Sequence, residues 1–205
     1  YRGDFKLTDN VLKVPFGDID AVERQFASDP SIGVIVLETV QGGGGIIQAP
    51  AEYWQKLRAL CDKHGVLWVA DEVQCGYGRT GKFYAFEHYG VVPDVTALAK
   101  SLGGGKCAMG AMIASRDVYM RAYGKPATAL IHGPATFGGI GEACITAIEG
   151  LNVLYDEGLI DNAAVTGDEL VLKTYLTRHA DGFYVVPGAA SPELGDELTA
   201  AQLGA

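Results

Sequence analysis

At 205 residues the chain can hold one sizeable domain with its own core. Hydrophobic residues make up 48% and charged residues 20%, the balance of a globular rather than a disordered protein. Sixteen Lys and Arg against 25 Asp and Glu give a formal charge of −9, which argues against nonspecific nucleic-acid or anionic-membrane binding as the main role.

Residues 1–17 show no clear periodicity. Asp18 is placed to cap a short helix through about Phe26. Gly33-Val34-Ile35-Val36-Leu37-Glu38 is a continuous apolar run, the pattern of a strand buried on both faces. The glycines 42–45 follow as a flexible loop. Pro50 opens a helix with Tyr53, Leu57, Leu60 and Cys61 on one stripe, and Gly65 supplies its stop. Residues 66–70 form a second strand, followed by the turn-rich stretch 76–81 and a short helical turn over 83–89. Val95–Ala99 is a third buried strand, and Ala108–Ser115 a fourth, returning antiparallel through a short loop. This alternation predicts an α/β fold with a mostly parallel sheet.

Beyond Gly139 the pattern turns helical. Glu142–Tyr155 places Ala143, Ala147, Leu151 and Leu154 on one side, with Gly158 as its end, and a second helix is expected over about Asn162–His179. Residues 187–205 are rich in Gly, Ala, Pro and Ser and read as a linker or frayed tail. The expected divisions are therefore 1–139, 140–186 and 187–205, with no internal repeat.

Cys61, Cys75, Cys107 and Cys144 are widely spaced and show no zinc-site pattern, so buried free thiols in a reducing, cytoplasmic compartment are expected. Tyr1-Arg2-Gly3-Asp4 resembles neither a signal nor a transit peptide, there is no initiator Met, and the start reads as cut. No apolar stretch approaches membrane-spanning length.

Ligands of open α/β sheets sit outside the carboxyl ends of the parallel strands. Glu38, Asp71 and Lys100 each fall at such an end. Taken singly, Asp71 and Glu38 read as helix caps or turn formers, and Lys100 as a snorkelling surface side chain. Three polar groups converging at successive strand ends point instead to a site. Lys100 ends the run Val95-Thr96-Ala97-Leu98-Ala99 and opens into Ser101-Leu102-Gly103-Gly104-Gly105, a place where its ammonium is expected to lose hydration. Desolvation lowers a lysine pKa and yields an amine suited to imine chemistry. A lysine imine with an acid to hold a pyridinium nitrogen is the protein's share of pyridoxal 5′-phosphate (PLP) chemistry. Asp71 suits the acid; Gln74 can reach the ring's phenolic oxygen, and Val73 can pack on a ring face.

The glycine runs do not fit nucleotide loops. Gly103-Gly104-Gly105-Lys106 is followed by Cys107 rather than Ser or Thr, and glycines 42–45 lack dinucleotide spacing. Thr136 precedes a helix start, where it can bind a phosphate or serve only as an N-cap. His132 has no identifiable partner and reads as turn or interface packing.

Several segments, in order and at matching intervals, resemble the class III PLP-dependent aminotransferases, the ornithine, acetylornithine, putrescine and 4-aminobutyrate type. They are residues 37–45, the block Ala70-Asp71-Glu72-Val73-Gln74-Cys75-Gly76-Tyr77-Gly78-Arg79-Thr80-Gly81, residues 93–94 and 99–105, and Thr136-Phe137-Gly138-Gly139. The resemblance runs from about residue 14 to 180. It implies fold type I, the aspartate-aminotransferase-like fold, with 1–139 as an incomplete part of the PLP-binding large domain and 140–186 as the interdomain helix and start of the small domain.

The same resemblance implies that Lys100 is the Schiff-base lysine and proton shuttle, Asp71 the pyridinium partner, Val73 a ring contact and Gln74 a contact of the ring oxygen. It implies that Glu38 is the acidic residue near the substrate and Thr136 a ligand of the cofactor phosphate across a dimer interface. The expected reaction passes the amino group of a primary amine or ω-amino acid donor to PLP and then to a 2-oxo acid acceptor, in a homodimer whose site is shared between chains. Rival readings are an assembly segment without activity of its own and another PLP reaction such as an aminomutase or racemase.

The sequence also departs from the family. Thr39 stands where proline is usual, and Ile140-Gly141 where Asn-Pro is usual. The family's upstream phosphate loop and ring-stacking aromatic residue, and its downstream Arg-Gly-x-Gly segment, have no counterpart here. The chain therefore resembles a central catalytic section.

Overall fold

A computed structural model describes residues 10–126 and 138–160, together with the backbone of 177–178 and 184–185. The elements run α1 (Ile19–Ser28), β1 (Val34–Glu38), β2 (Val40–Gln41), β3 (Ile47–Gln48), α2 (Ala51–His64), β4 (Leu67–Asp71), β5 (Val95–Leu98), β6 (Ala111–Ala114), α3 (Arg116–Tyr123), α4 (Gly141–Asp156), β7 (Thr177–Arg178) and β8 (Tyr184–Val185). Short 3-10 turns lie at Ala85–Tyr89 and Lys100–Gly103.

The main sheet has the order β1-β4-β5-β6. β1, β4 and β5 are parallel, and β6 returns antiparallel beside β5. The mostly parallel α/β reading thus holds, antiparallel return included.

Local signals explain the helix ends. Asp18 caps α1 by accepting from the Ala21 N–H at 2.8 Å. Gly65 ends α2 at φ 69°, a left-handed conformation that glycine adopts without a Cβ penalty. Gly158 plays the same part just beyond α4 at φ 61°.

One face of the sheet carries the core. Trp68 and Ala70 of β4 lie fully buried under Trp54, Leu57 and Cys61 of α2, with Val22 and Phe26 of α1 in the same cluster. Trp54 stacks on Trp68 at 5.7 Å and on Tyr89 at 5.6 Å. At the other end of β4, Arg58 pairs with Asp94 at 2.9 Å, and Asp94 accepts from the Trp68 N–H at 2.8 Å. That link pins α2 to the entry of β5.

The opposite face is less covered. β1 is an edge strand with Val34 and Val36 exposed, Val36 at 62%. The expectation that 33–38 is buried on both faces is therefore corrected. Its apolar run suits a two-sided environment, but among the described residues only the Ile35 and Leu37 face packs against the core.

Three further expectations change. The glycine run 42–45 forms the turn of a small antiparallel β2–β3 hairpin, closed by Gly42 O accepting from Gly45 N at 3.1 Å. A helix, α3, follows β6; Ser115 caps it by accepting from Val118 N–H at 3.3 Å, a signal the sequence reading passed over. The helix expected to reach His179 does not: Thr177–Arg178 pairs antiparallel with Tyr184–Val185. Thr177, Tyr184 and Val185 are β-branched or aromatic, types that favour strand over a helix end. The rest of that helix, the tail at 187–205, His132 and Thr136 lie outside the described residues.

Candidate active site at the strand ends

Parallel pairing brings the chemistry together. Register sets Glu38 of β1 opposite Asp71 of β4, and Asp71 opposite Ala97 of β5. Adjacent strands lie about 4.8 Å apart, so these carboxyl ends form one short rim. Lys100 follows two residues past Leu98 on the same rim.

The rim residues are linked by hydrogen bonds. Lys100 Nζ donates to Gln74 Oε1 at 2.8 Å. Gly42 packs so tightly on Gln74 that an added methyl would collide with the Gln74 amide, so the turn of the β2–β3 hairpin backs the lysine's partner. Glu38 Oε2 accepts from the Gly42 N–H at 3.2 Å and fastens that turn to β1. Asp71 Oδ1 accepts from the Val73 N–H at 3.1 Å. Both carboxylates thus do the turn-forming work that the simpler reading assigned them, with one oxygen each. Neither has a further hydrogen bond on its second oxygen among the described residues.

Glu72 is buried to 1% exposure beneath this rim. It accepts from Thr39 Oγ1 at 2.5 Å, from Ala85 N–H at 2.8 Å and from Phe86 N–H at 3.3 Å. It makes no ion pair among the described residues, so neutral donors alone satisfy it. A buried charge without such partners would be costly. Glu72 therefore ties the exits of β1 and β4 to the turn at 85–89. Thr39, fully buried where the resemblance expects proline, supplies the hydroxyl that proline lacks. Sequence reasoning missed this strut; its signal was a charge directly following an apolar strand and a lone threonine directly after Glu38.

Backbone strain concentrates here too. Lys100 sits at φ 51° and Tyr77 at φ 63°. Non-glycine residues in that region cost on the order of 1 kcal/mol and persist only where their surroundings hold them. The turn at Lys100–Gly103 is held by Leu102 N–H donating to Ala99 O at 3.1 Å and by Leu102 packing on Ala147 of α4.

One expectation fails on burial. Lys100 is exposed, as is Gln74, so the loss of hydration expected at Lys100 is not seen. The cause is geometric: the 3-10 turn carries the residue to the open mouth of the sheet, and no described element stands over it.

Burial acts strongly on two thiols instead. Desolvation pushes Cys61 up to about 12, and burial together with the nearby Glu72 carboxylate pushes Cys75 up to about 12. All four cysteines are free, Cys61 and Cys75 buried, Cys107 and Cys144 half-buried. The expectation of four buried thiols holds for two of them. Among the described residues no group of three or more His, Cys, Asp or Glu is placed to hold a metal. No described helix is long and apolar enough to cross a membrane.

The Aminotransferase class-III family profile matches residues 10–187. The chain belongs to this family. Among solved structures, the ornithine δ-aminotransferase of Plasmodium falciparum is similar at 39% identity, with a TM-score of 0.69 over 82% of this chain and 42% of its own. Ornithine aminotransferase from Toxoplasma gondii, described with partial PLP occupancy at its active site, matches at 35% identity and a TM-score of 0.69 over 78% of this chain and 36% of its own. Acetylornithine aminotransferase from Elizabethkingia anophelis matches at 36% identity and a TM-score of 0.66, covering 73% and 36%. The chain spans less than half the length of each of these relatives.

PLP is the cofactor of class-III aminotransferases, and the donor set fits it. An exposed lysine amine can meet its aldehyde, a carboxylate with a free oxygen can hold its ring nitrogen, and the Gln74 NH2 is left as a donor while its oxygen accepts from Lys100.

Proposed function

We propose that this class-III aminotransferase chain transfers the amino group of a primary amine or ω-amino acid to a 2-oxo acid acceptor, with Lys100 as its central residue. The observation that carries the reading is the Lys100 Nζ–Gln74 hydrogen bond, set on the same rim as Asp71 and Glu38.

PLP, when bound, supplies the electron sink for a carbanion at the amine carbon. Lys100 Nζ would hold the cofactor at its aldehyde. As a free amine, Lys100 would be the group that holds and moves the proton of the substrate's amine carbon. Asp71 Oδ2 would accept from the ring nitrogen and so favour its protonated form. The Gln74 amide N–H would be the donor to the phenolic oxygen, and Val73 would pack against the ring. Glu38 would offer its charge to a donor ammonium or an arginine. Thr136 is the phosphate ligand of this reading.

The same reading includes a homodimer with a shared site, a cytoplasmic location supported by four free thiols, and the division at residues 139/140 and 186/187. The likeness to ornithine and acetylornithine enzymes points to donors with a terminal amine.

A second reading, a section without activity of its own, is favoured by one observation. Lys100 is exposed, where a working pocket needs cover. Borohydride trapping decides between them. The chain is incubated with PLP, reduced, and its labelled lysine mapped by mass spectrometry, beside Lys100→Ala. Selective label at Lys100, with amino-group transfer from a terminal amine to a 2-oxo acid, supports the first reading. Scattered label and no transfer support the second.

A further inference from the structure

Arg79 has an unusual placement for an arginine. It is part-buried, makes no ion pair among the described residues, and spends its charge on a neutral hydroxyl: Nη2 donates to Ser101 Oγ at 2.6 Å. Charge-assisted hydrogen bonds of this kind are short and strong. Surface solubility would not require such a contact.

The loop that carries Arg79 is fastened on both sides of it. Tyr77, itself at φ 63°, donates its hydroxyl to Ala147 O of α4 at 3.3 Å, and that hydroxyl packs against Gly150. Gly78 N–H donates to Phe83 O at 3.2 Å. His88 Nε2 lies 2.8 Å from Thr80 O, and because a carbonyl only accepts, that nitrogen carries the proton. Arg79 is thus delivered from a fixed loop to the residue directly after Lys100.

Lys100 is what needs holding. Its φ of 51° is unfavourable for an L residue, and its side chain is free to sample solvent apart from the bond to Gln74. Leu102 anchors the turn from below through Ala147, while Ser101 is anchored from the side by Arg79. We infer that Arg79 is a positioning residue: through Ser101 it holds the Lys100 turn in its left-handed conformation and so aims Nζ at the rim shared with Asp71 and Gln74. This rests on the reading of Lys100 as the cofactor lysine.

The test compares the chain with Arg79→Ala, Arg79→Lys, Ser101→Ala and the double variant Arg79→Ala/Ser101→Ala. Each is incubated with PLP and reduced, and label at Lys100 is expressed relative to label at the exposed Lys63 and Lys106. Either single loss should lower that ratio about tenfold, the scale of one charge-assisted hydrogen bond. The double variant should lose no more than a single one, because both act through one link. Arg79→Lys should not restore the ratio, since its ammonium ends one bond nearer the backbone than Nη2 and falls short of Ser101 Oγ.

Amide hydrogen exchange provides a readout that needs no cofactor. Exchange at 101–105 should quicken in Arg79→Ala and Ser101→Ala while the α2 core keeps its protection. Wild-type ratios and wild-type exchange in both variants would overturn the inference. So would a general loss of protection and melting temperature, which would mark Arg79 as a structural residue only. If the parent chain shows no preference for Lys100, the cofactor reading itself has failed, and the exchange comparison alone decides whether Arg79 holds the turn.

Discussion

The middle of β4 and the segment leaving its carboxyl end teach opposite lessons. The middle, Trp68 and Ala70, lies fully buried among Trp54, Leu57 and Cys61, with aromatic rings stacked and backbone in ordinary conformations. The segment leaving it, Asp71 to Tyr77, opens onto exposed Gln74 and Lys100, holds a buried carboxylate, and borders two non-glycine residues at positive φ. The first region is built for burial of apolar area, the dominant favourable contribution to folding. The second departs from local preference at several adjacent positions, as functional sites commonly do.

Truncation should separate the regions most sharply. Trp68→Ala should cost about 3–5 kcal/mol, because a fully buried ring leaves a cavity that the stacked Trp54 cannot fill. Denaturant unfolding would measure it. Lys100→Ala on the exposed rim should shift the same midpoint by less than about 1 kcal/mol while abolishing covalent trapping of PLP. Comparable stability losses for both would break the contrast.

Glu72 sits where the two regions meet and should fall second. Glu72→Ala leaves the Thr39 hydroxyl and the Ala85 and Phe86 N–H groups without their acceptor, in a place water does not reach. Orphaning buried donors should cost roughly 2–3 kcal/mol. Thr39→Val removes one donor and leaves the carboxylate two, so about half that loss is expected. Equal effects from the two would mean that the backbone donors contribute little.

Legibility follows the same divide. Periodicity, apolar runs and caps revealed α1, α2, α4 and all four strands of the main sheet, because each side chain's fate there depends mainly on what it buries. They overstated the cover of β1, since an apolar run reports what a strand can bury and not what lies beside it. Thr177–Arg178 was read as the end of a helix because so short a strand carries too few residues for a period-2 signal. Strand-end position alone was enough to place Glu38, Asp71 and Lys100 on one rim. It could not reveal the Arg79–Ser101 or Thr39–Glu72 contacts, which join residues 22 and 33 positions apart and depend on where loops fold.

Alkaline pH offers a third way to divide the regions. Cys61 in the core is raised from 9.0 to about 12 by burial. Above the ordinary thiol value the unfolded chain releases its proton while the native thiol keeps it, so stability falls as pH rises. The contribution is intact below about pH 9 and is lost progressively towards 12, at no more than about 1.4 kcal/mol per pH unit for this group. Cys61→Ala should flatten that part of the stability profile, although it lowers the plateau. A thiol reagent at pH 8 should correspondingly modify half-buried Cys107 and Cys144 before Cys61 and Cys75.

The smallest effect carries the most specific lesson. At φ 51°, Lys100 occupies backbone space that glycine enters freely, so Lys100→Gly should relieve strain. Against it stands the extra entropy that glycine gives the unfolded chain, about the same size. The net change in stability should therefore lie within about 0.5 kcal/mol of zero, whereas Lys100→Val, β-branched in the same conformation, should lose about 1 kcal/mol or more. Thermal melts of the two variants read the difference directly. A neutral glycine beside a costly valine would show that the chain keeps a strained lysine for the position of its amine, since neither packing nor backbone preference selects one there.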